Sequence, residues 1–239
     1  MTQPRLAVDI WSDIACPWCF IGKRRFEAAL ETLPFKEQVD VVWHSYQLDP
    51  SLPAKYDGTE AEYLASIKGL APAQVEQMLE HVTTQAAGEG LAYDFGNLRV
   101  ANSFTAHRLL HLAKEHGRAA EVKEGLLSAH FEKGLDTGDR ETLRAIGTGA
   151  GLPDADVARV LDGEDYRESV EADFAQARSL GITGVPFFVL DMKYGISGAQ
   201  PAEIFAEALT TAWRENNPLT MVVAAGGADG EACGPEGCN

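Results

Sequence analysis

The chain has 239 residues, 45% of them hydrophobic, enough to bury a substantial core as one large domain or two small ones without a disulfide scaffold. A formal net charge of −16 argues against general binding to phosphate backbones and against docking on an anionic lipid surface, so neither nucleic acid nor membrane is an expected partner. The charge reads first as a solvated acidic surface, and any steering would favour basic partners.

Met1-Thr2-Gln3-Pro4-Arg5 passes almost directly into an apolar run, with no room for the basic region, apolar stretch and cleavage site of a signal peptide. No uninterrupted apolar segment reaches the ~18 residues that a membrane-spanning helix needs. The expected location is cytoplasmic, where cysteine pairs are catalytic or sensing rather than structural.

In chain order, Leu6 to Trp11 has the β-branched and aromatic content of a short strand. Phe20, Phe26, Ala29, Leu30 and Leu33 then recur at roughly helical spacing. Between the two lies Cys16-Pro17-Trp18-Cys19, on the first helical turn. Pro17 suits the first helical position, where its missing N–H costs nothing. Cys16 is thereby placed at the helix N-terminus, where unpaired N–H groups and the helix dipole favour a thiolate. In such motifs the thiol pKa falls from ~8.5 to roughly 3.5–7.5. Cys16 is the expected attacking thiol and Cys19, one turn inward and less exposed, the resolving one. Cys-x-x-Cys equally suits half of a zinc site, but zinc needs two more ligands and the other cysteines are distant, at Cys233 and Cys238. Its place beside a βαβ pattern favours the redox reading, with no metal and no cofactor expected.

Val39 to Leu48 is the next expected strand, ending at Asp49-Pro50 and completing a βαβ unit. From about Gly58 to Asp165 helical periodicities predominate: Glu60 to Lys68, Pro72 to Gln85, Asn102 to His116, Ala119 to Lys133, Arg140 to Gly149 and Asp154 to Leu161. Tyr166 to Leu180 reads as a helix closed by Gly181. A turn and a strand over Ile182 to Leu190, a hairpin partner at Tyr194 to Ser197 and an amphipathic helix from Pro201 to Arg214 follow. The Gly- and Ala-rich remainder reads as a loosely ordered tail. The expected architecture is α/β, with one domain over 1–57 and 166–216, an all-helical insertion over 58–165, and a flexible tail with a Cys pair over 217–239.

Gly184-Val185-Pro186 precedes a strongly apolar strand. Alone it is ordinary punctuation, but an X-Pro bond pays only about 0.5–1 kcal/mol for cis, and a tight turn can hold that isomer.

With these residues in view, Ser12-Asp13-Ile14-Ala15-Cys16-Pro17-Trp18-Cys19 followed by Ile21-Gly22-Lys23 resembles the DsbA-like branch of the thioredoxin superfamily, and more narrowly its FrnE-like members. The likeness extends through Ala106-His107-Arg108-Leu109-Leu110 and from Gly181 to Val189. It implies a thioredoxin-like fold interrupted by the helical insertion, with Pro186 cis and opposite Cys16. It further implies that the Val185 backbone pairs with a polypeptide substrate by strand-like hydrogen bonds. The implied reaction is thiol–disulfide exchange on protein or peptide substrates, with a small thiol or a thioredoxin-type protein as redox partner. DsbA carries Pro-His between its cysteines; this chain carries Pro17-Trp18, which lacks imidazolium charge, so a less oxidising potential is expected. A carboxylate at Asp13 would oppose a Cys16 thiolate, or else serve to cap the loop.

His107 and His111, four apart, share a helix face at metal-ligand spacing, but no Glu-x-x-His pattern accompanies them. His107 stands in the family-like segment with its role unassigned. Cys233-Gly234-Pro235-Glu236-Gly237-Cys238 would close too small a loop to stabilise the tail by more than about 2 kcal/mol. An auxiliary dithiol exchanging with Cys16 and Cys19 is one reading; inert thiols, or zinc shared with the active pair, are the others. Three functional classes remain open: a protein thiol-disulfide oxidoreductase or isomerase, a glutathione-dependent isomerase or transferase, and a redox-switched chaperone module. The intact cysteine pair favours the first.

Overall fold

Leu6–Ser12 forms β1, the strand around which the sheet is organised in a computed structural model that describes residues 5–217 and the backbone of two short strands near the C-terminus. Parallel to it runs β2 (Val39–Ser45), reached through α1 (Pro17–Glu31) and a 3-10 turn at Lys36–Gln38. The other side of β1 pairs antiparallel with β3 (Phe187–Leu190), which in turn pairs with β4 (Tyr194–Ser197). The sheet order is therefore β2-β1-β3-β4. A central strand buried on both faces needs apolar residues at nearly every position. Leu6, Val8, Ile10 and Trp11 of β1 are fully buried.

Between β2 and β3 come seven helices: α2 (Glu60–Lys68), α3 (Pro72–Gly88), α4 (Phe104–Glu115), α5 (Ala119–Phe131), α6 (Arg140–Gly149), α7 (Asp154–Asp162) and α8 (Arg167–Ser179). The last, α9 (Ala202–Asn216), packs against α1. Caps mark the entries: Thr59 and Glu62 form a reciprocal capping box on α2, and Asp139 accepts from Thr142 N–H at α6. One apolar cluster joins β1, α1 and α9 to α4, α5, α6 and α7 through residues such as Phe26, Leu109, Val122, Val157 and Phe205. A second gathers Phe20 and Ile21 of α1 with Val82, Tyr93, Leu127 and Phe131.

One strand boundary differs from the sequence expectation. β2 stops at Ser45, and beyond it the N–H groups of Tyr46 and Leu48 bond to Ser12 O and to the Asp13 carboxylate. β3 begins at Phe187, after the expected turn, which carries a cis Val185–Pro186 bond. Gly181 closes α8 at φ +72°, as its glycine predicts.

α8 is fastened to the sheet through Asp173. Its carboxylate accepts from Ser45 N–H at 2.6 Å and meets His44 Nδ1 at 2.8 Å and His111 Nε2 at 3.0 Å. His44 also reaches Asp9 at 2.7 Å and stacks on Trp11. Arg108 is buried and donates to the carbonyls of Val160, Gly163 and Asp165, binding the α7–α8 connection.

β5 (Cys233–Gly234) and β6 (Gly237–Cys238) pair antiparallel with Cys233 opposite Cys238. The expectations about the N-terminal four residues and about most of the tail, including the side chains of Cys233 and Cys238, lie outside the described residues.

Candidate active site

Cys16 is the N-cap of α1 and Pro17 its first residue, so the chain enters the helix at the dithiol as the proline predicts. Cys19 N–H donates to Cys16 O at 3.0 Å, and Tyr93 Oη donates to Pro17 O at 2.6 Å, tying the first turn to the segment after α3. Both cysteines are buried and unpaired in a disulfide, Cys16 at 4% exposure and Cys19 at 1%.

The cis Val185–Pro186 turn faces this helix start. The Cys16 thiol donates to Val185 O at 3.3 Å. Close approach is possible because α1 carries Gly22: a Cβ there would lie 2.9 Å from Pro186 Cγ. Trp18 packs beside His81, with ring centroids 6.0 Å apart.

Cys16, Pro17, Trp18 and Val185 line one cavity of about 380 Å³, and Cys19 is not among its walls. The far side is largely apolar, with Tyr63, Leu64 and Ile67 of α2 and Met78, Leu79 and Val82 of α3. Asp13, Asp49, Glu60, Lys68 and His130 add polar groups.

Beneath the dithiol lies a buried polar group drawn from distant parts of the chain. Asp13 accepts from Leu48 N–H at 2.8 Å and Ala15 N–H at 3.3 Å, and lies 3.2 Å from His107 Nε2. Burial pushes its carboxyl up, but the bonds to His107 and Leu48 outweigh that and hold it below the ordinary carboxylate value. Burial pushes the His107 ring down, so His107 is a neutral donor to an ionised Asp13. Asp13 thus caps the loop, and its charge also opposes ionisation of Cys16.

Lys123 of α5 is fully buried over the Trp43 ring, and its Nζ has no hydrogen-bond partner among the described residues. Burial drives its ammonium down to about 8, against the pull of Cys19, Asp13 and Cys16.

Several influences oppose the thiolate expected at Cys16: its hydrogen bond with Cys19, burial, and the charges of Cys19 and Asp13 push its thiol well up. Burial opposes the Cys19 thiolate too, yet the Cys16 hydrogen bond and the Lys123 charge bring Cys19 below the ordinary thiol value. The N-terminus of α1 favours a Cys16 thiolate, while burial and the neighbouring negative charges oppose it. The two thiols titrate as a coupled pair.

Sequence reasoning missed Lys123, the steric role of Gly22 and the cavity position of Glu60. Lys123 leaves a trace, being the sole Lys or Arg of α5, beside the apolar Val122 and Leu126. His107 and His111 share a helix face as expected, but they meet different carboxylates, Asp13 and Asp173.

A four-stranded sheet of mixed direction, with a cysteine pair opening the first helix and a cis proline opposite, is the thioredoxin class of fold. The model of the DSBA-like thioredoxin domain matches residues 7–210, and the chain belongs to that family, whose members are redox or isomerase enzymes. A crystal structure of a probable DsbA oxidoreductase from Streptomyces coelicolor is similar over 98% of this chain and 99% of its own, at 43% identity and a TM-score of 0.83. The cytosolic disulfide reductase DsbM from Pseudomonas aeruginosa shares the fold at 21% identity and a TM-score of 0.64, over 87% and 99% of the two chains. The uncharacterized protein YwbO of Bacillus subtilis is 25% identical over 206 residues, covering 85% of this chain and 95% of its own. No helix among the described residues is long and apolar enough to cross a membrane.

Proposed function

We propose that the chain is a protein thiol-disulfide oxidoreductase or isomerase, in which Cys16 attacks and Cys19 resolves. The observation that carries this reading is the contact of the Cys16 thiol with Val185 O, at the wall of an open cavity that Cys19 does not reach. Only Cys16 meets an incoming disulfide. It attacks in the form whose proton has passed to Cys19; one substrate sulfur leaves as a thiolate, and a Cys16–substrate disulfide forms. Cys19 then gives up its proton to the departed substrate thiolate, directly or through solvent, and attacks Cys16 Sγ. The second substrate sulfur leaves, and the cysteine pair has supplied two electrons. The reverse sequence oxidises a substrate dithiol. Trp18, Val185 and Pro186 form the docking surface, with an extended substrate segment lying along Val185.

The lining favours polypeptides over glutathione. Glutathione brings carboxylates into a cavity that offers Asp13, Asp49 and Glu60 against the single cation Lys68. We assign the chemistry to the cytoplasm, consistent with the compartment named for DsbM, and Cys233 and Cys238 to an auxiliary dithiol, consistent with their opposed register. A small thiol or a thioredoxin-type protein then resets the pair.

Insulin reduction and reactivation of scrambled ribonuclease test this reading with Cys16→Ser and Cys19→Ser controls. Both activities should vanish in Cys16→Ser. Glutathione-dependent isomerisation of a small molecule that survives both substitutions would instead support the isomerase alternative. Client binding without any exchange would support the chaperone alternative.

A further inference from the structure

The cavity beside Cys16 contains a charged group that the exchange chemistry leaves unused. Glu60, the first residue of α2, lines this cavity at only 8% exposure. Burial alone pushes its carboxyl up to about 7, with neither a hydrogen bond nor a cation holding it down. The neighbouring polar groups are committed elsewhere or out of reach. Asp13 is held by His107 and the loop N–H groups, and Asp49 accepts from Tyr63 Oη and Ser51. His130 is neutral, its ring driven down to about 4 by burial. Lys68 lies at the other end of α2, about 12 Å along the helix from Glu60.

An unpaired carboxylate in an apolar wall is costly unless something arrives to pair with it. No cation pairs with it among the described residues, and the chain as a whole carries a net charge of −16 that draws basic molecules. Leu64, Ile67 and Leu79 offer apolar surface along which the methylene stem of a long basic side chain can lie.

We propose that Glu60 is a cation-reading subsite, pairing with a Lys or Arg side chain that flanks the cysteine of a polypeptide bound at Cys16. This rests on the protein-exchange reading above and names the substrates it prefers. A guanidinium makes the stronger partner, because its fork matches a carboxylate with two parallel hydrogen bonds.

The test uses the full-length Cys19→Ser protein, with Cys233 and Cys238 also replaced by serine, loaded as the Cys16–glutathione disulfide. The probes are short synthetic peptides with one cysteine and, at each flanking position in turn, Arg, norleucine or Glu. The peptide thiol attacks Cys16 Sγ, the bond to glutathione breaks, and glutathione leaves as the thiol with the proton the peptide gave up. Mass spectrometry reads the equilibrium. At about pH 8, where Glu60 is ionised, one Arg position should be preferred over norleucine by roughly tenfold, and Glu at that position disfavoured. The preference should shrink towards about pH 6 as Glu60 protonates, and should be lost in Glu60→Gln. Equal binding of all peptides, or an Arg preference that survives Glu60→Gln, overturns the subsite while leaving protein exchange standing. Failure of every peptide to displace glutathione overturns the protein-exchange reading itself. Should Glu60→Gln fail to fold, the pH comparison with Glu60 intact decides.

Discussion

The Cys16 thiol and the Val185 carbonyl, 169 positions apart in sequence, meet at 3.3 Å. Their meeting follows from the pairing of β1 with β3: the chain leaves β1 towards the dithiol at the same end where the cis-Pro186 turn enters β3. A nucleophile and a main-chain docking edge therefore extend from the paired ends of the two central strands.

Gly22 sets the distance between α1 and the turn. A methyl group there meets Pro186 Cγ at 2.9 Å, and neither the helix backbone nor the proline ring yields easily. Gly22→Ala should cost about 1–3 kcal/mol and slow exchange at Cys16. Urea unfolding and the insulin-reduction rate check it; a variant with ordinary stability and rate contradicts it.

Lys123 stabilises the charge that Cys19 carries. Lys123→Met should raise the pH at which the dithiol loses its first proton by roughly one unit. Thiolate absorbance against pH, with Cys233 and Cys238 replaced by serine, measures this. The same variant should gain stability at neutral pH, by on the order of 1–3 kcal/mol, because burial holds the ammonium at about 8 and the unfolded chain binds that proton more tightly. A folded variant with unchanged titration refutes the assignment.

Asp173 fastens α8 to β2 and α4. Burial pushes its carboxyl up, but His111, His44, Lys114 and Ser45 together hold it far below the ordinary value of 3.8. A depressed carboxylate adds stability above its unfolded value and loses it as the pH falls below that value. The protein should therefore weaken as the pH falls below about 4. Asp173→Asn should cost about 3 kcal/mol at neutral pH and show a shallower acid decline. Unfolding curves at neutral and acid pH decide between this and a carboxylate without structural weight.

Trp18 stands where DsbA has an imidazole, and neither Pro17 nor Trp18 carries a positive charge. The potential should lie below the DsbA value of about −120 mV, and Trp18→His should raise it. A redox titration in glutathione buffers that places the protein at or above the DsbA value contradicts this.

Much of the fold is legible in the sequence because local signals agree with it. Pro17 opens α1, Gly181 closes α8, and the caps at Thr59 and Asp139 mark helices whose ends follow from residue chemistry alone. The dithiol and the Val185–Pro186 turn are legible for the same reason: each is a short motif with a local conformational meaning. The charge balance beneath the dithiol is not. It depends on Asp13, His107 and Lys123 converging from β1's exit, α4 and α5, and no local pattern encodes that meeting. The helix N-terminus is read from sequence and favours a thiolate on Cys16; the Lys123 charge, which favours ionisation of Cys19, is not. Glu60 is similar: in sequence it is an acidic residue in the first turn of a helix, an ordinary partner of the helix dipole. Its burial in the cavity wall appears only when α2 and the cysteine helix are seen to line one cavity.

Trapping the covalent intermediate is the most direct test that the protein exchanges disulfides through Cys16. Incubated with insulin, the Cys19→Ser protein should accumulate an insulin-chain adduct that mass spectrometry of the digest maps to Cys16, and Cys16→Ser should form none there. Failure of Cys19→Ser to form that adduct, or undiminished insulin reduction by Cys16→Ser, would contradict the account.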